Sequence, residues 1–464
     1  MARQQPLSLP LRANLKNHGM RKVLVLGAGR SSSSLIAMVL ERAERNDWEV
    51  HVGDVDEATA QAKCQGHPAA HPFRIDPKDP TERNAHIASS DLVISMVPAF
   101  MHPEIAAVAI EAGVHVITPS YVGPEMQALH DKAVAADVLV LNEIGLDPGI
   151  DHLSAKAVLD RVAEAGGEMV EFESYCGGLI APESDDNPWH YKFSWNPRNV
   201  VLAGQGGAAT FLSRGTARMV PPHRTFQDVR HIEVGGTAFE GYPNRDSIAY
   251  ESIYGLHGIQ TLIRGTLRGE GFCAGWDVLV QLGCVRDDAP MEWAAGTSWA
   301  DWMRTFLPAS LGDVSVRDAI AQRYGADDAT LDRLAWLGLF DADAGPVVLK
   351  GTPAQVLQSL LEEKWKLQPD DRDMIVMWHR FAYRLDGQMH EVTSSLRLEG
   401  RDAVYTGMSD TVGWPVALAA EALLAGKFKD RGVQVPLHRD YYEVILPALE
   451  ELGVRFEETH RICS

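Results

Sequence analysis

The stretch Lys22-Val23-Leu24-Val25-Leu26-Gly27-Ala28-Gly29-Arg30-Ser31-Ser32 decides how this chain folds. An unbroken apolar run that stops at a glycine is the pattern of a strand buried on both faces of a parallel sheet. From Ser31 to about Asn46, residues Leu35, Ile36, Val39, Leu40 and Ala43 fall on one side of a helix. Strand, glycine turn and helix in that order make the first βα unit of a Rossmann-type α/β fold, a doubly wound parallel sheet. The rhythm continues with strands expected over 48–52, 73–75, 92–96, 114–117 and 138–141, and helices over 103–112 and 124–136. The first unit of structure therefore spans 21–145.

Near residue 145 the pattern changes. Residues 170–285 are rich in glycine, aromatic and β-branched residues, as in an extended sheet within an α+β domain. Residues 290–370 read as a helical subdomain, with helices over 316–323 and 353–366. The runs 374–385 and 391–398, joined through Asp386-Gly387, give a hairpin. Residues 146–400 are thus expected to form an inserted substrate and dimerisation domain. Residues 401–464, with an apolar helix over 411–425, are expected to supply C-terminal helices that return to the first domain. Residues 1–20 read as a flexible extension; being basic and free of acids, they also carry a faint transit-peptide pattern.

The net charge of −20 argues against non-specific nucleic-acid binding, which needs a basic surface. No run approaches the roughly 20 apolar residues of a membrane helix. Five scattered cysteines without CxxC spacing argue against a disulfide framework or a metal centre, and fit a reducing cytoplasm.

Within this fold the glycine turn places a dinucleotide pyrophosphate. Gly27 allows the tight turn, and Gly29 lets the backbone approach the phosphates at a helix N-terminus. Ser32 replaces the third fingerprint glycine and is small enough to preserve packing. The hydroxyls of Ser31 to Ser34 are candidate phosphate donors. Asp54 ends the second strand, 25 residues after Gly29, against a usual spacing of roughly 20. A carboxylate there accepts hydrogen bonds from ribose hydroxyls and repels a 2′-phosphate, so NAD is expected, with NADP possible. In the competing reading Asp54 only caps the next helix, a role Asp56 can also fill. Arg30 opposes the NAD expectation if it reaches the ribose.

The segment Asn142-Glu143-Ile144-Gly145-Leu146-Asp147-Pro148-Gly149-Ile150-Asp151-His152 follows the sixth strand, at the carboxyl edge where ligands bind. Asp147 and His152 are candidate proton carriers there; Asp147 equally fits a turn, and Asp151 fits a helix N-cap. Ser120-Tyr121 follows the fifth strand, and its hydroxyls suit a carboxylate or a turn. Lys192, Arg198, Arg245 and Arg264 are candidate carboxylate binders or plain surface charges. Trp195 and Tyr191 read as core, and Cys176 as a buried thiol unless a base lies beside it.

Five segments together resemble the saccharopine dehydrogenase family, and within it the glutamate-forming saccharopine reductases. They are NEIGLDPGIDH (142–152), SYCGGLIAPESDDNPWHYKFSW (174–195), GYPNRDS (241–247), RGTLRGEGF (264–272) and DRDMIVMWH (371–379). The resemblance implies oxidative cleavage of saccharopine, with NAD(P) and water, to glutamate and 2-aminoadipate semialdehyde, or the reverse. Hydride leaves the carbon bound to the secondary amine, water attacks the imine, and the carbinolamine collapses. It implies a substrate site of Ser120, Tyr121, Asp147, Cys176, Gly178, Trp195, Asn244, Arg245 and Asp246, with Asp147, His152 and Cys176 as candidates for proton transfer. The expected cofactor set is Gly27, Gly29, Arg30, Ser31, Ser32, Asp54, Val55, Asp76, Ser95, Val97 and Pro98. It implies a homodimer. The chain departs from the family where SLIPYTFH becomes Ser95-Met96-Val97-Pro98-Ala99-Phe100-Met101-His102, and where fungal relatives carry Arg after the second strand. Two other functions fit the same motifs: a carboxynorspermidine dehydrogenase-like or other imine-reducing enzyme, and a non-catalytic nucleotide sensor.

Overall fold

A computed structural model describes residues 20–463. The extension expected over 1–20 therefore lies, except for Met20, outside the described residues. The chain divides into two compact units. The first contains the chain up to Val158 and Met408–Val454; the second contains Leu159–Gly407 and the residues from Arg455 onward.

The first unit is built on strands β1 (Arg21–Leu26), β2 (Trp48–Asp54), β3 (Ala70–Arg74), β4 (Leu92–Ser95), β5 (His115–Ile117) and β6 (Leu139–Leu141). Their order is β3-β2-β1-β4-β5-β6, extended by a seventh strand, Gly432–Gln434, beside β6. Every pairing is parallel. The order reverses direction between β1 and β4, which fixes the crevice where a ligand binds in such sheets. Val23 to Leu26 are fully buried, as an apolar run in a two-sided sheet requires. Helix α1 (Ser33–Asn46) presents Leu35, Ile36, Met38, Val39, Leu40 and Ala43 to the core.

Helices α2 (Glu57–Cys64) and α3 (Pro80–Ala88) have weak sequence signals for a physical reason. α2 buries only Ala60 and Cys64, and α3 only Arg83 and Ile87, so neither shows an apolar stripe. Both start at aspartate caps, Asp56 and Asp79, whose carboxylates accept backbone N–H groups. Helix α4 (His102–Ala112) follows β4 as expected. The helix expected over 124–136 is two short ones, Pro124–Gln127 and His130–Ala135.

The second unit carries β7 (Glu168–Ile180), β8 (Ala209–Ser213), β9 (Thr216–Val220), β10 (Arg230–Val234), β11 (Thr237–Pro243), β12 (Thr261–Arg268), β13 (Asp373–Leu385), β14 (Gln388–Glu399) and β15 (Phe456–Cys463). The order is β10-β11-β12-β7-β13-β14-β15, with β8 and β9 attached at β12. The β13–β14 hairpin turns through Asp386 and Gly387 with φ of 50° and 78°, the two positive angles a tight two-residue turn demands. A helical part packs around Trp189, Trp276, Trp302 and Trp365, each fully buried. The C-terminus adds helices Gly407–Leu424 and Arg439–Glu451, then returns as strand β15 to the second unit's sheet. No helix among the described residues is long and apolar enough to cross a membrane.

Candidate active site

Candidate site residues occur in each of the two units. In the first unit Gly27 has φ +100°, and a Cβ there would stand 2.9 Å from the carbonyl oxygen of Met96. Only glycine satisfies both constraints. At Gly29 a Cβ would meet nothing, so the backbone faces open space of the kind a pyrophosphate needs. The glycine turn thus fits a dinucleotide on the geometry of its own backbone. Gly27→Ala is expected to weaken NAD(P) binding by about tenfold or more, since misplacing a left-handed residue costs on the order of 1–3 kcal/mol. Cofactor fluorescence titration reads this, and unchanged affinity contradicts it.

Asp54 does not cap the next helix; Asp56 does, accepting from Ala58 N–H and Thr59 Oγ1. One Asp54 oxygen instead accepts the Ala28 N–H at 2.7 Å, and the other accepts the Asp56 N–H at 3.1 Å. The carboxylate is therefore pinned against the glycine turn, at the carboxyl end of β2. The serine hydroxyls behave differently from expectation. Ser32 Oγ donates to the Gly29 carbonyl at 2.7 Å, and Ser34 Oγ to Asp410. Ser33 Oγ receives Lys63 Nζ. Ser32, Ser33 and Ser34 are buried, so these three brace the turn, while Ser31 stays partly open. Arg30, Val55, Asp76 and Pro98 are exposed and Val97 is half-buried. Asp76 accepts the Lys78 N–H within its own loop.

Ser95 is fully buried, and its hydroxyl lies 2.9 Å from His102 Nδ1. His102 Nε2 lies 2.8 Å from Ser120 Oγ and 3.3 Å from Thr118 Oγ1. Burial lowers the His102 pKa to about 4. The ring is neutral at neutral pH. Next along the chain, Tyr121 OH donates to Asp147 Oδ1 at 2.7 Å. Asp147, half-buried, is therefore joined to a phenol rather than being only a turn residue. The turn itself rests on Gly149, whose φ is +148° and whose Cβ would strike Gly145 backbone at 2.0 Å.

His152 is fully enclosed and pairs through Nε2 with Glu143 Oε2 at 2.8 Å. The other Glu143 oxygen accepts the Val122 N–H at 2.9 Å. This places His152 behind the Ser120–Val122 loop, where it anchors Glu143. Asp151 lies inside the first turn of α5 (Ile150–Glu164), and its carboxylate reaches back to the Gly149 N–H.

In the second unit two of the expected substrate residues, Cys176 and Gly178, fall on one sheet face, and the others lie in loops or on the core. β12 runs parallel to β7 with Thr266 opposite Cys176 and Arg264 opposite Ser174. Paired residues share a face, so Ser174, Cys176 and Gly178 lie with Arg264, Thr266 and Arg268. Asn244, just after β11, donates to Thr266 Oγ1 at 2.8 Å. Arg264 stacks over Tyr250 at 4.0 Å. Asp246 accepts the Ile248 and Ala249 N–H groups and holds the following turn. The backbone carbonyl of Arg245 accepts the Thr210 N–H. Trp195 is partly buried, packed on the tryptophan-rich core, and donates to Tyr191 OH at 3.2 Å.

Two expected carboxylate binders are already engaged. Lys192 lies between Asp186 and Asp371, at 2.9 and 2.8 Å, and Arg198 pairs with Asp287. Sequence reasoning did not single out Arg268. It is 5% exposed, it lies over Tyr191 and Phe272 at 5.2 and 5.3 Å, and its polar contact is its neighbour Leu267's carbonyl at 3.0 Å. Its Nε is buried without a partner, and no carboxylate among the described residues pairs with it. Burial works against its charge, but the Tyr242 and Tyr191 phenols and the Cys273 and Cys176 thiols outweigh that and raise its pKa.

Residues 23–141 match the family model for the saccharopine dehydrogenase NADP binding domain, and residues 145–454 that for the saccharopine dehydrogenase C-terminal domain. The Saccharomyces cerevisiae saccharopine dehydrogenase [NADP(+), L-glutamate-forming] is 36% identical over 94% of this chain and 99% of its own length. The mitochondrial alpha-aminoadipic semialdehyde synthase of Bos taurus is 33% identical, and this chain spans 47% of it. The solved apo saccharopine dehydrogenase (L-Glu forming) from Saccharomyces cerevisiae superposes with a TM-score of 0.84 at 34% identity, covering 95% of this chain and 100% of that one. With both halves of the chain matched in order, the chain belongs to the saccharopine dehydrogenase family.

Proposed function

We propose that this chain interconverts saccharopine with glutamate and 2-aminoadipate semialdehyde, using a nicotinamide dinucleotide. The observation that carries the reading is Arg268: a guanidinium taken out of water without a carboxylate partner among the described residues calls for an anion from outside. Saccharopine brings three carboxylates, and Arg264, Asn244 and Thr266 stand on the same face. When bound, the nicotinamide supplies the hydride acceptor or donor.

The chain's own groups do the rest. The Tyr121–Asp147 pair holds a proton between a phenol and a carboxylate. It suits giving and taking protons at the amine and the attacking water. Ser120 stands beside it as a hydroxyl for a substrate carboxylate. Cys176 lies buried on the same sheet face as Arg268. Pre-set dipoles and buried cations supply much of the barrier reduction in such a site.

Asp54 supports NAD over NADP, against the NADP(+) in the names of the fungal relatives. A cytoplasmic homodimer completes the proposal; five free cysteines fit a reducing compartment. The deciding assay follows absorbance at 340 nm with purified saccharopine and each cofactor. Turnover is expected with saccharopine. Turnover of carboxynorspermidine in its place overturns the substrate, and no turnover with either overturns the enzyme. Light scattering reads the dimer.

A further inference from the structure

The hydrogen bonds around His102 have a polarity that the reaction can use. A neutral imidazole offers one N–H donor and one bare nitrogen acceptor. Nδ1 faces one hydroxyl, Ser95 Oγ, whereas Nε2 faces two, Ser120 Oγ and Thr118 Oγ1. Thr118 Oγ1 also receives the Ser120 backbone N–H at 3.3 Å. If Nε2 were the acceptor, Ser120 would turn its proton inward and show only lone pairs to a ligand. If Nε2 carries the proton, Ser120 Oγ accepts from the ring and its own O–H points outward as a donor. Ser95, fully buried, then closes the arrangement by donating to Nδ1.

We propose that His102 is a positioning residue: held as the Nε2–H tautomer, it makes the half-buried Ser120 hydroxyl a committed donor to a substrate carboxylate. This rests on the reading of Ser120 as a substrate contact. His102 itself is 3% exposed and meets the outside only through Ser120. The device also fixes the neighbouring proton pair. The Ser120 carbonyl accepts the Glu143 N–H at 3.1 Å, and the Glu143 carboxylate holds Val122. Tyr121 therefore sits in a loop gripped by His102 on one side and by the Glu143–His152 pair on the other.

Two measurements test it. Imidazole ¹⁵N spectra of the wild-type chain, with the His102 signal identified by its loss in His102→Gln, report the tautomer without any substrate. A proton on Nε2 is expected; a proton on Nδ1 overturns the proposal even if saccharopine turns over normally. Kinetics supply the second arm. His102→Phe is expected to raise the saccharopine KM by about 10- to 100-fold, the range for one hydrogen bond to a charged group. The NAD(P) Kd should stay within about twofold on the same scale. Ser120→Ala should give a similar loss, and the double variant should be no worse than either single one. Additive losses, or a parallel loss of cofactor affinity, overturn it. If wild-type enzyme ignores saccharopine, the functional reading fails while the tautomer measurement still stands. If His102→Phe does not fold, the His102→Gln variant is taken through the same kinetics, and retention of wild-type KM there is expected because its amide can donate to Ser120.

Discussion

Arg268→Met is expected to lower kcat/KM for saccharopine by roughly 30-fold to several thousandfold, while NAD(P) affinity and the fold are kept. The first figure follows from removing one side of a buried charge pair, which costs on the order of 2–5 kcal/mol in binding. The second expectation separates a binding cation from a structural one. No described carboxylate pairs with Arg268, so its removal leaves no orphaned acid in the protein. Methionine keeps the bulk against Tyr191 and Phe272. Replacing a buried charge by an apolar group of similar size is often neutral or stabilising. Thermal unfolding should therefore move little, or upward. Lys192→Met is the contrast: it leaves the buried Asp371 carboxylate without its cation, holding only the Gln368 N–H, and is expected to cost about 3–5 kcal/mol of stability. A large fall in unfolding temperature for Arg268→Met, with KM unchanged, would sink its role in the substrate site.

The difference between these two cations shows what a sequence conveys and what it withholds. Lys192 sits in a motif that reads as substrate binding, yet its partner Asp371 is 179 positions away and only the fold brings them together. Arg268 also sits in one of the quoted segments, RGTLRGEGF, but nothing local sets it apart from Arg264; its meaning comes from Tyr191 and Phe272 beneath it and from the absence of a carboxylate partner among the described residues. Neither fact has local periodicity. The parallel sheet was legible because β1 is a continuous apolar run ending in Gly27, a pattern set by local burial and backbone constraint. α2 and α3 were not, because helices that bury two residues each leave no stripe to read. His102 left one usable signal: a histidine at a helix start just after β4, at the carboxyl edge of the sheet. His152 carried a stronger motif and lies behind the loop, against Glu143.

Asp54→Asn should shift the ratio of kcat/KM for NAD to that for NADP towards NADP by at least about tenfold. The wild-type ratio should favour NAD. At about 4 Å two like charges repel by roughly 4 kcal/mol near a protein surface, and solvent screening reduces that at a half-exposed site to the tenfold scale. Alanine is the wrong probe, a point visible only in the structure. The Asp54 carboxylate holds the Ala28 N–H at 2.7 Å, so alanine would loosen the glycine turn and harm both cofactors together. Asparagine removes the charge and can still present its carbonyl to Ala28, giving up the longer contact to the Asp56 N–H. The gain should appear in the KM for NADP, with NAD changed less. Arg30, exposed beside Gly29, works in the opposite direction as a cation available to a 2′-phosphate. If wild-type enzyme prefers NADP and Asp54→Asn leaves the ratio alone, the carboxylate is a brace for the turn and Arg30 sets the choice. If the ratio moves as expected, the same carboxylate does both: it fixes the turn that receives the pyrophosphate and screens out the phosphate on the ribose.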